Sequence, residues 1–320
     1  MSVVPSRSPS KAKAAMPWVK EVVVIGVVYV VYGFVRNQFG SAILAEGDPP
    51  THSFDNARHV IAFEKAIGLF HEQTIQNWFL DTWWIPFFNI FYGTAHFIVT
   101  LSALIWMFVK KRAWFGRWRT MLMATTVVGL IGFATFPLMP PRLFNAEPRV
   151  NCYVDEAQKT VQNEKPCYRY GGGELARADG EPNYHFVDTL REVGGLWSFD
   201  SKELDSVSNQ YAAMPSLHIG WSVWCAIVLW KFSKRRTTRI LGVIYPFVTL
   251  TAIVATANHY IIDAWGAFVA LGIGYGTARL VEYFFPPDPP PLDPMLDPLL
   301  DPLDDDADPL SSAEPATAGS

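Results

Sequence analysis

Four stretches of this chain run without a charged residue for the length of a membrane-crossing helix, which takes roughly 20 mostly apolar residues. Trp83 to Val109 is bounded by Lys110, Lys111 and Arg112. The other three lie between Arg119 and Arg142, between Asp205 and Lys231, and between Arg239 and Asp263. A fifth candidate runs from about Tyr260 to Phe285, with Asp263 near its start and Arg279 and Glu282 near its end. Val22 to Val35 is shorter and reaches spanning length with Trp18, Val19 and Phe39. The alternative for that first segment, a signal peptide in which Lys11 and Lys13 precede the apolar core, lacks a convincing small-residue cleavage site. The expected fold class is an all-α polytopic membrane protein with six transmembrane helices, an interfacial amphipathic helix and a large outer loop.

Charge orients that arrangement. The two short connections Lys110 to Arg119 and Lys231 to Arg239 carry five basic residues each, and short basic loops stay cytoplasmic. Both termini are then cytoplasmic, and residues 40–82, 138–211 and the turn near Asn258 lie on the outer side of a plasma membrane. The formal net charge of −4 hides this pattern, because nine acids and no Lys or Arg fall between Pro286 and Ser320. With half of its residues hydrophobic and only 18% charged, the chain is not a nucleic-acid-binding domain, a disulfide miniprotein or a wholly disordered protein. Residues 1–17 read as a cytoplasmic N-terminus, 18–285 as the membrane domain, and 286–320 as a disordered acidic tail in which Leu-Asp-Pro recurs.

In the first outer segment Ala57, Ile61, Ala62, Ala66, Ile67, Phe70, Ile75, Trp78 and Phe79 recur at mostly helical spacing, which predicts an amphipathic helix at the interface. The second outer segment holds Cys152 and Cys167, on the oxidising side. A disulfide between them and two unrelated thiols are both open.

Polar groups at span ends carry the chemistry, since ionisable side chains at membrane depth are costly. Met139-Pro140-Pro141-Arg142 ends one span, Pro215-Ser216-Leu217-His218 opens the next, and His259-Tyr260-Ile261-Ile262-Asp263 joins the last two. Of seven histidines only His259 has Asp four residues on; on a helix the two share one face, and the carboxylate fixes the tautomer and leaves the other ring nitrogen nucleophilic. His218 is placed to protonate a leaving oxygen. Arg142 suits a phosphate, and Ser216 with helix-terminal amides adds donors. The set describes phosphoryl transfer, with no metal or other cofactor expected. Against it stand plain readings: an interfacial histidine, a snorkelling Arg142, prolines that only end a helix. Asn89, Tyr92 and His96 form a polar stripe on the second span, either helix contacts or a substrate-binding face. Asn209 and Tyr211, just before PSLH, and the string Phe186-Val187-Asp188-Thr189 are further site-like candidates.

These strings resemble the type 2 phosphatidic acid phosphatase superfamily, whose usual signatures are KxxxxxxRP, PSGH and SRxxxxxHxxxD. Here they stand as PPR ending at Arg142, PSLH at Pro215 to His218 and HYIID at His259 to Asp263. Ala212-Ala213-Met214 before PSLH and Thr256-Ala257-Asn258 before His259 are similar to the branch with inositol phosphorylceramide synthases and bacterial relatives. The resemblance covers roughly residues 55–285. It implies six spans, His259 as a nucleophile forming a phosphohistidine, Asp263 as its orienting partner, His218 as general acid and Arg142 as a phosphate ligand. Two departures stand out: Ile253 occupies the third signature's arginine position, and Leu217 replaces a glycine. Arg149 and Arg191 are candidate substitutes for the missing charge.

The expected function is hydrolysis or transfer of a lipid phosphate or diphosphate at the outer membrane face. Water or an alcohol such as inositol, glycerol or a sugar is the acceptor. A noncatalytic lipid-binding or transport protein is the competing class; the chain shows no internal repeat of its spans and no charge midway through one. The substrate, the acceptor and the oligomeric state are not legible from the sequence.

Overall fold

Proline, glycine and a few capping side chains decide where the helices of this chain begin and end. The computed structural model describes residues 51–143, 184, 186–194 and 212–286, together with Val19, Val23, Gly26, Val27 and Val30. Cys152, Cys167, Asn209, Tyr211, Arg149 and residues 287–320 of the tail lie outside the described residues. Of the expected first span only those five residues are described, each in helix.

The described elements are α1 (Thr51–Ala66), α2 (Glu72–Phe79), α3 (Trp84–Lys110), α4 (Arg112–Thr135), a 3-10 turn at Pro141–Leu143, α5 (Thr189–Glu192), α6 (Leu217–Phe232), α7 (Arg236–Ala255) and α8 (Ile262–Phe284). Among the described residues the one β-type pairing is an isolated parallel bridge between Leu138 and Ala212. By length and composition α3, α4 and α7 are long and apolar enough to cross a membrane, and α6 is a shorter apolar helix. Six spans are therefore not established. At 16 residues α6 is about 24 Å long, against about 30 Å of bilayer hydrocarbon. The fifth candidate forms the 23-residue α8, whose mean hydropathy is diluted by Asp263, Arg279 and Glu282.

Three boundaries differ from the charge-free runs, one of them at Ala255, where α7 ends before the turn at Asn258. The run closing at Arg142 is helical only to Thr135, because Pro137 disfavours helix in the residue before it and Pro140 and Pro141 forbid a return. In the run that opens after Asp205, the described residues from Ala212 become helical at Leu217, where Ser216 is the N-cap and the Met214-Pro215 peptide is cis. The expected amphipathic helix is two helices, parted at Gly68, whose φ of 71° ends α1. Its expected apolar stripe is also mixed. Ala57 and Ile61 are buried with Phe54, whereas Ile67 and Trp78 are exposed, and the buried face takes Glu64, Glu72 and Gln76.

Small residues let the helices close on the site. A Cβ on Gly274 of α8 would lie 2.8 Å from the Met121 carbonyl oxygen and 3.0 Å from the Thr125 nitrogen of α4. Pro215 is wedged between α4 and α8: a Cβ on Gly132 would stand 2.5 Å from its Cδ, and one on Gly266 3.1 Å from its Cβ. α7 packs on α6, and α2 and α3 also lie against α7. The outward faces carry Leu101, Ile105, Ile131, Phe247 and Val269 exposed, the surface expected of helices that meet lipid.

The two basic connections meet at one end of the bundle, where Lys231 Nζ stands 5.6 Å from the Trp114 ring centre and Arg117 pairs with Glu282 at 2.6 Å. The strings Pro215–His218 and His259–Asp263 lie at the opposite ends of the same helices.

Candidate active site

The turn from Thr256 to Ile261, between α7 and α8, carries the reactive candidate. It opens through Ala257, a non-glycine residue in the left-handed region at φ 52°, a conformation that costs of order 1 kcal/mol and that the surroundings must impose. The Ala257 carbonyl accepts the Arg142 backbone N–H at 2.7 Å, which ties the 3-10 turn to this one. Thr256 Oγ1 accepts from Asn258 Nδ2 at 2.8 Å.

His259 and Asp263 do meet, but not as two residues on one helical face. His259 precedes α8, and Asp263, in its first turn, reaches back in the manner of a cap. Asp263 Oδ2 accepts from His259 Nδ1 at 3.0 Å and from the Tyr260 N–H at 3.0 Å. Both side chains are buried. With Nδ1 engaged by a carboxylate, Nε2 is the nitrogen left with a free lone pair. Nε2 stands 3.5 Å from Ser216 Oγ, at the long end of hydrogen-bond range.

Ser216 binds the second string to the first. Its N–H donates to the Asp263 carbonyl at 3.1 Å, and its Oγ accepts from the Ile219 N–H at the start of α6. His218, two residues on, sits with its ring centre 5.6 Å from that of His259. On its other side it stacks on Tyr92 at 4.4 Å and meets His96 edge-on at 4.3 Å. His96 Nδ1 is engaged with the Tyr92 carbonyl at 3.0 Å. The structure thus gathers His96, Tyr92, His218, Ser216, His259 and Asp263 around one place.

Arg142 arrives through its backbone, while its Nη1 donates to Asp188 Oδ2 at 3.1 Å and its buried Nε has no acceptor. Asp188 belongs to a short strap clamped by two amides. Gln76 Nε2 donates to the Val187 carbonyl at 2.8 Å, and the Val187 N–H donates back to Gln76 Oε1 at 3.0 Å. Asn89 Nδ2 donates to the Thr189 and Gly194 carbonyls at 2.9 and 2.8 Å, and Thr189 Oγ1 donates to Asn89 Oδ1 at 3.0 Å. Asn89 therefore holds the strap rather than lining the polar stripe with Tyr92 and His96.

Ile253 is fully buried beside Ile219, Val254, Ala264 and Ala267, so its position is a core position here. Leu217 fills the space over Gly129, where a Cβ would come within 3.0 Å of Leu217 Cγ. The Arg191 side chain lies outside the described residues.

A family model for the PAP2 superfamily matches residues 58–277, which span every one of these side chains. The chain belongs to the PAP2 superfamily. No curated protein and no solved structure matches it. Superfamily membership brings a phosphatase or phosphotransferase type of activity, and together with the apolar helices it makes this a membrane protein. The branch within the superfamily is not settled by the match.

Two buried acids beneath the turn were not legible as site residues. Glu72 Oε1 accepts the Ile261 N–H and Glu64 Oε1 the Ile262 N–H, each at 2.8 Å. The available signal was an acid on an apolar face: Glu64 lies three residues after Ile61 and seven after Ala57. Tyr260 closes the same corner. Burial first, then Asp263, Glu72 and Glu64, push its phenol well above the ordinary range, and its neutral hydroxyl donates to the Met139 carbonyl at 3.0 Å.

Proposed function

We propose that this protein cleaves a lipid-linked phosphate ester or diphosphate through a phosphohistidine at His259, on the membrane face opposite its basic connections. The observation that carries the reading is the His259 Nδ1 to Asp263 Oδ2 contact of 3.0 Å, with Nε2 turned toward Ser216 and the His218 ring centre 5.6 Å from that of His259. Nε2 attacks phosphorus, a P–N bond forms and the P–O bond to the lipid breaks. The leaving oxygen takes its proton from His218, and Asp263 stabilises the positive charge that develops on the phosphorylated imidazole. Water then attacks phosphorus with His218 as base, releasing phosphate and regenerating His259. Arg142 supplies donors to the phosphoryl oxygens: Asp188 occupies its Nη1, and its unpaired buried Nε–H favours an incoming acceptor, since such a donor costs about 1–3 kcal/mol when left alone. Tyr92 and His96 line the approach to His218.

Turnover of phosphatidic acid in detergent micelles tests this reading. His259→Ala should abolish release of phosphate with unchanged folding, and His218→Ala should lower kcat by about 10²-fold or more, the range of a lost general acid. Full residual hydrolysis by His259→Ala contradicts the mechanism. The same assay with inositol, glycerol or a sugar present separates the two acceptors, because transfer yields a new phosphodiester in place of free phosphate.

A further inference from the structure

The backbone donors at the start of α8 are shared out in an unusual way. The Tyr260 N–H goes to Asp263 Oδ2 and the Asp263 N–H to the Tyr260 carbonyl at 3.2 Å. The two between them, of Ile261 and Ile262, go to Glu72 of α2 and Glu64 of α1. Carboxylates suit a helix N-terminus, so one oxygen of each acid is accounted for. The other is not. Glu64 and Glu72 are both 0% exposed, and Glu64 Oε2 and Glu72 Oε2 have no donor. Among the described residues neither carboxyl has a cationic partner. Lys65, next to Glu64, turns to the Tyr184 hydroxyl at 3.2 Å. The titratable groups that face the pair are Asp263 and Tyr260 on the turn, with Tyr184 beyond; of these Asp263 adds further negative charge.

Two buried carboxyls side by side, with no cation and one unpaired oxygen each, cannot both be ionised at moderate cost. A single proton between the unpaired oxygens removes the repulsion and supplies the missing donor. We propose that Glu64 and Glu72 are a positioning pair that share one proton and hold the His259–Asp263 turn in its reactive shape. The pair touches neither substrate nor reacting atoms; it acts by fixing the two amides that precede Asp263, and hence the carboxylate that orients His259. This role rests on the His259 mechanism proposed above, whereas the shared proton does not.

Burial first, then the neighbouring Glu72, push the Glu64 carboxyl up to about 9. A raised carboxyl contributes stability that is fully present below its ordinary value of 4.5 and is lost as pH rises through about 9. Within the folded protein the pair keeps its proton until that upper limit, and the turn loosens above it.

Infrared difference spectra of the full chain in detergent test the shared proton without turnover. The wild type at neutral pH should show the carbonyl stretch of a protonated carboxylic acid that is absent in Glu64→Gln and equally absent in Glu72→Gln. Glutamine keeps the oxygen for the amide and donates its own N–H to the remaining carboxylate. In the phosphatidic acid assay, Glu64→Gln should therefore outpace Glu64→Ala by about tenfold or more, the scale of losing an outer partner that orients a reacting side chain. It should also lack the wild type's fall in kcat as pH rises through about 9. A wild type without the band, or a band that survives in both glutamine variants, overturns the shared proton. A Glu64→Gln variant no faster than Glu64→Ala, with the alkaline fall intact, overturns the positioning role. Should phosphatidic acid not be turned over, or should His259→Ala remain active, the proposed function fails while the spectra still decide the pair.

Discussion

One oxygen of Asp263 accepts from both His259 Nδ1 and the Tyr260 N–H, so a single atom sets the tautomer of the ring and the shape of the turn that presents it. Asp263→Asn tests that coupling. An amide that donates to Nδ1 moves the imidazole proton to Nε2 and removes the nucleophilic lone pair, so kcat should fall by on the order of 10⁴-fold, as where another aspartate fixes a reacting histidine. KM for phosphatidic acid should change little, and the melting temperature should stay within a few degrees. At this scale the sequence was informative where chemistry is local. PSLH and HYIID are short strings whose members serve one another, and Ser216, His218, His259 and Asp263 do come together. Partners across the fold were silent, even for Asp188, whose own string is site-like. Asp188, Glu64 and Glu72 reach their partners over 46, 198 and 189 positions of chain, and nothing in their neighbouring residues announces those partners.

Helix boundaries decide how those residues are aimed. Charge-free runs located α3 closely, because it fills its run, but they overran the end of α4, the start of α6 and the end of α7, where prolines, the Ser216 cap and the turn at Asn258 intervene rather than charge. Those proline-rich ends bring Arg142 and Ser216 to the His259 turn. The amphipathic reading of residues 57–79 foundered on a similar point: apolar periodicity assumes that the buried face is apolar, and here it holds two carboxyls and an amide bonded to backbone. The α4 and α8 contact offers a test at this scale. Gly274→Ala sets a Cβ against α4 backbone and should destabilise by about 1–3 kcal/mol, seen as a lower midpoint of thermal unfolding in detergent. Gly276→Ala, two residues on and in open space, should leave the midpoint unchanged or raise it, since alanine is the better helix former by about 1 kcal/mol. Equal loss in both variants would contradict close packing at Gly274.

On the scale of the whole molecule, charge and chemistry are segregated. Basic residues of both short connections cluster around Trp114 at one end, while the three histidines and Asp263 lie at the other, under the strap that Gln76 and Asn89 hold. That polarity was legible in sequence, because loop charge is counted without knowing the fold. The strap's clamps were not, since they join segments a hundred or more residues apart. A lipid-borne phosphate is the substrate we propose for this site, which lies among helices whose outward faces are apolar. The central claim is that the phosphoryl group passes through His259. Phosphatidic acid labelled at phosphorus, mixed with the protein and quenched in base, where phosphohistidine survives, tests it directly. Mass spectrometry of the digest should place the label on His259 in the wild type and find none in His259→Ala; label on another residue, or label that persists in that variant, would contradict the account.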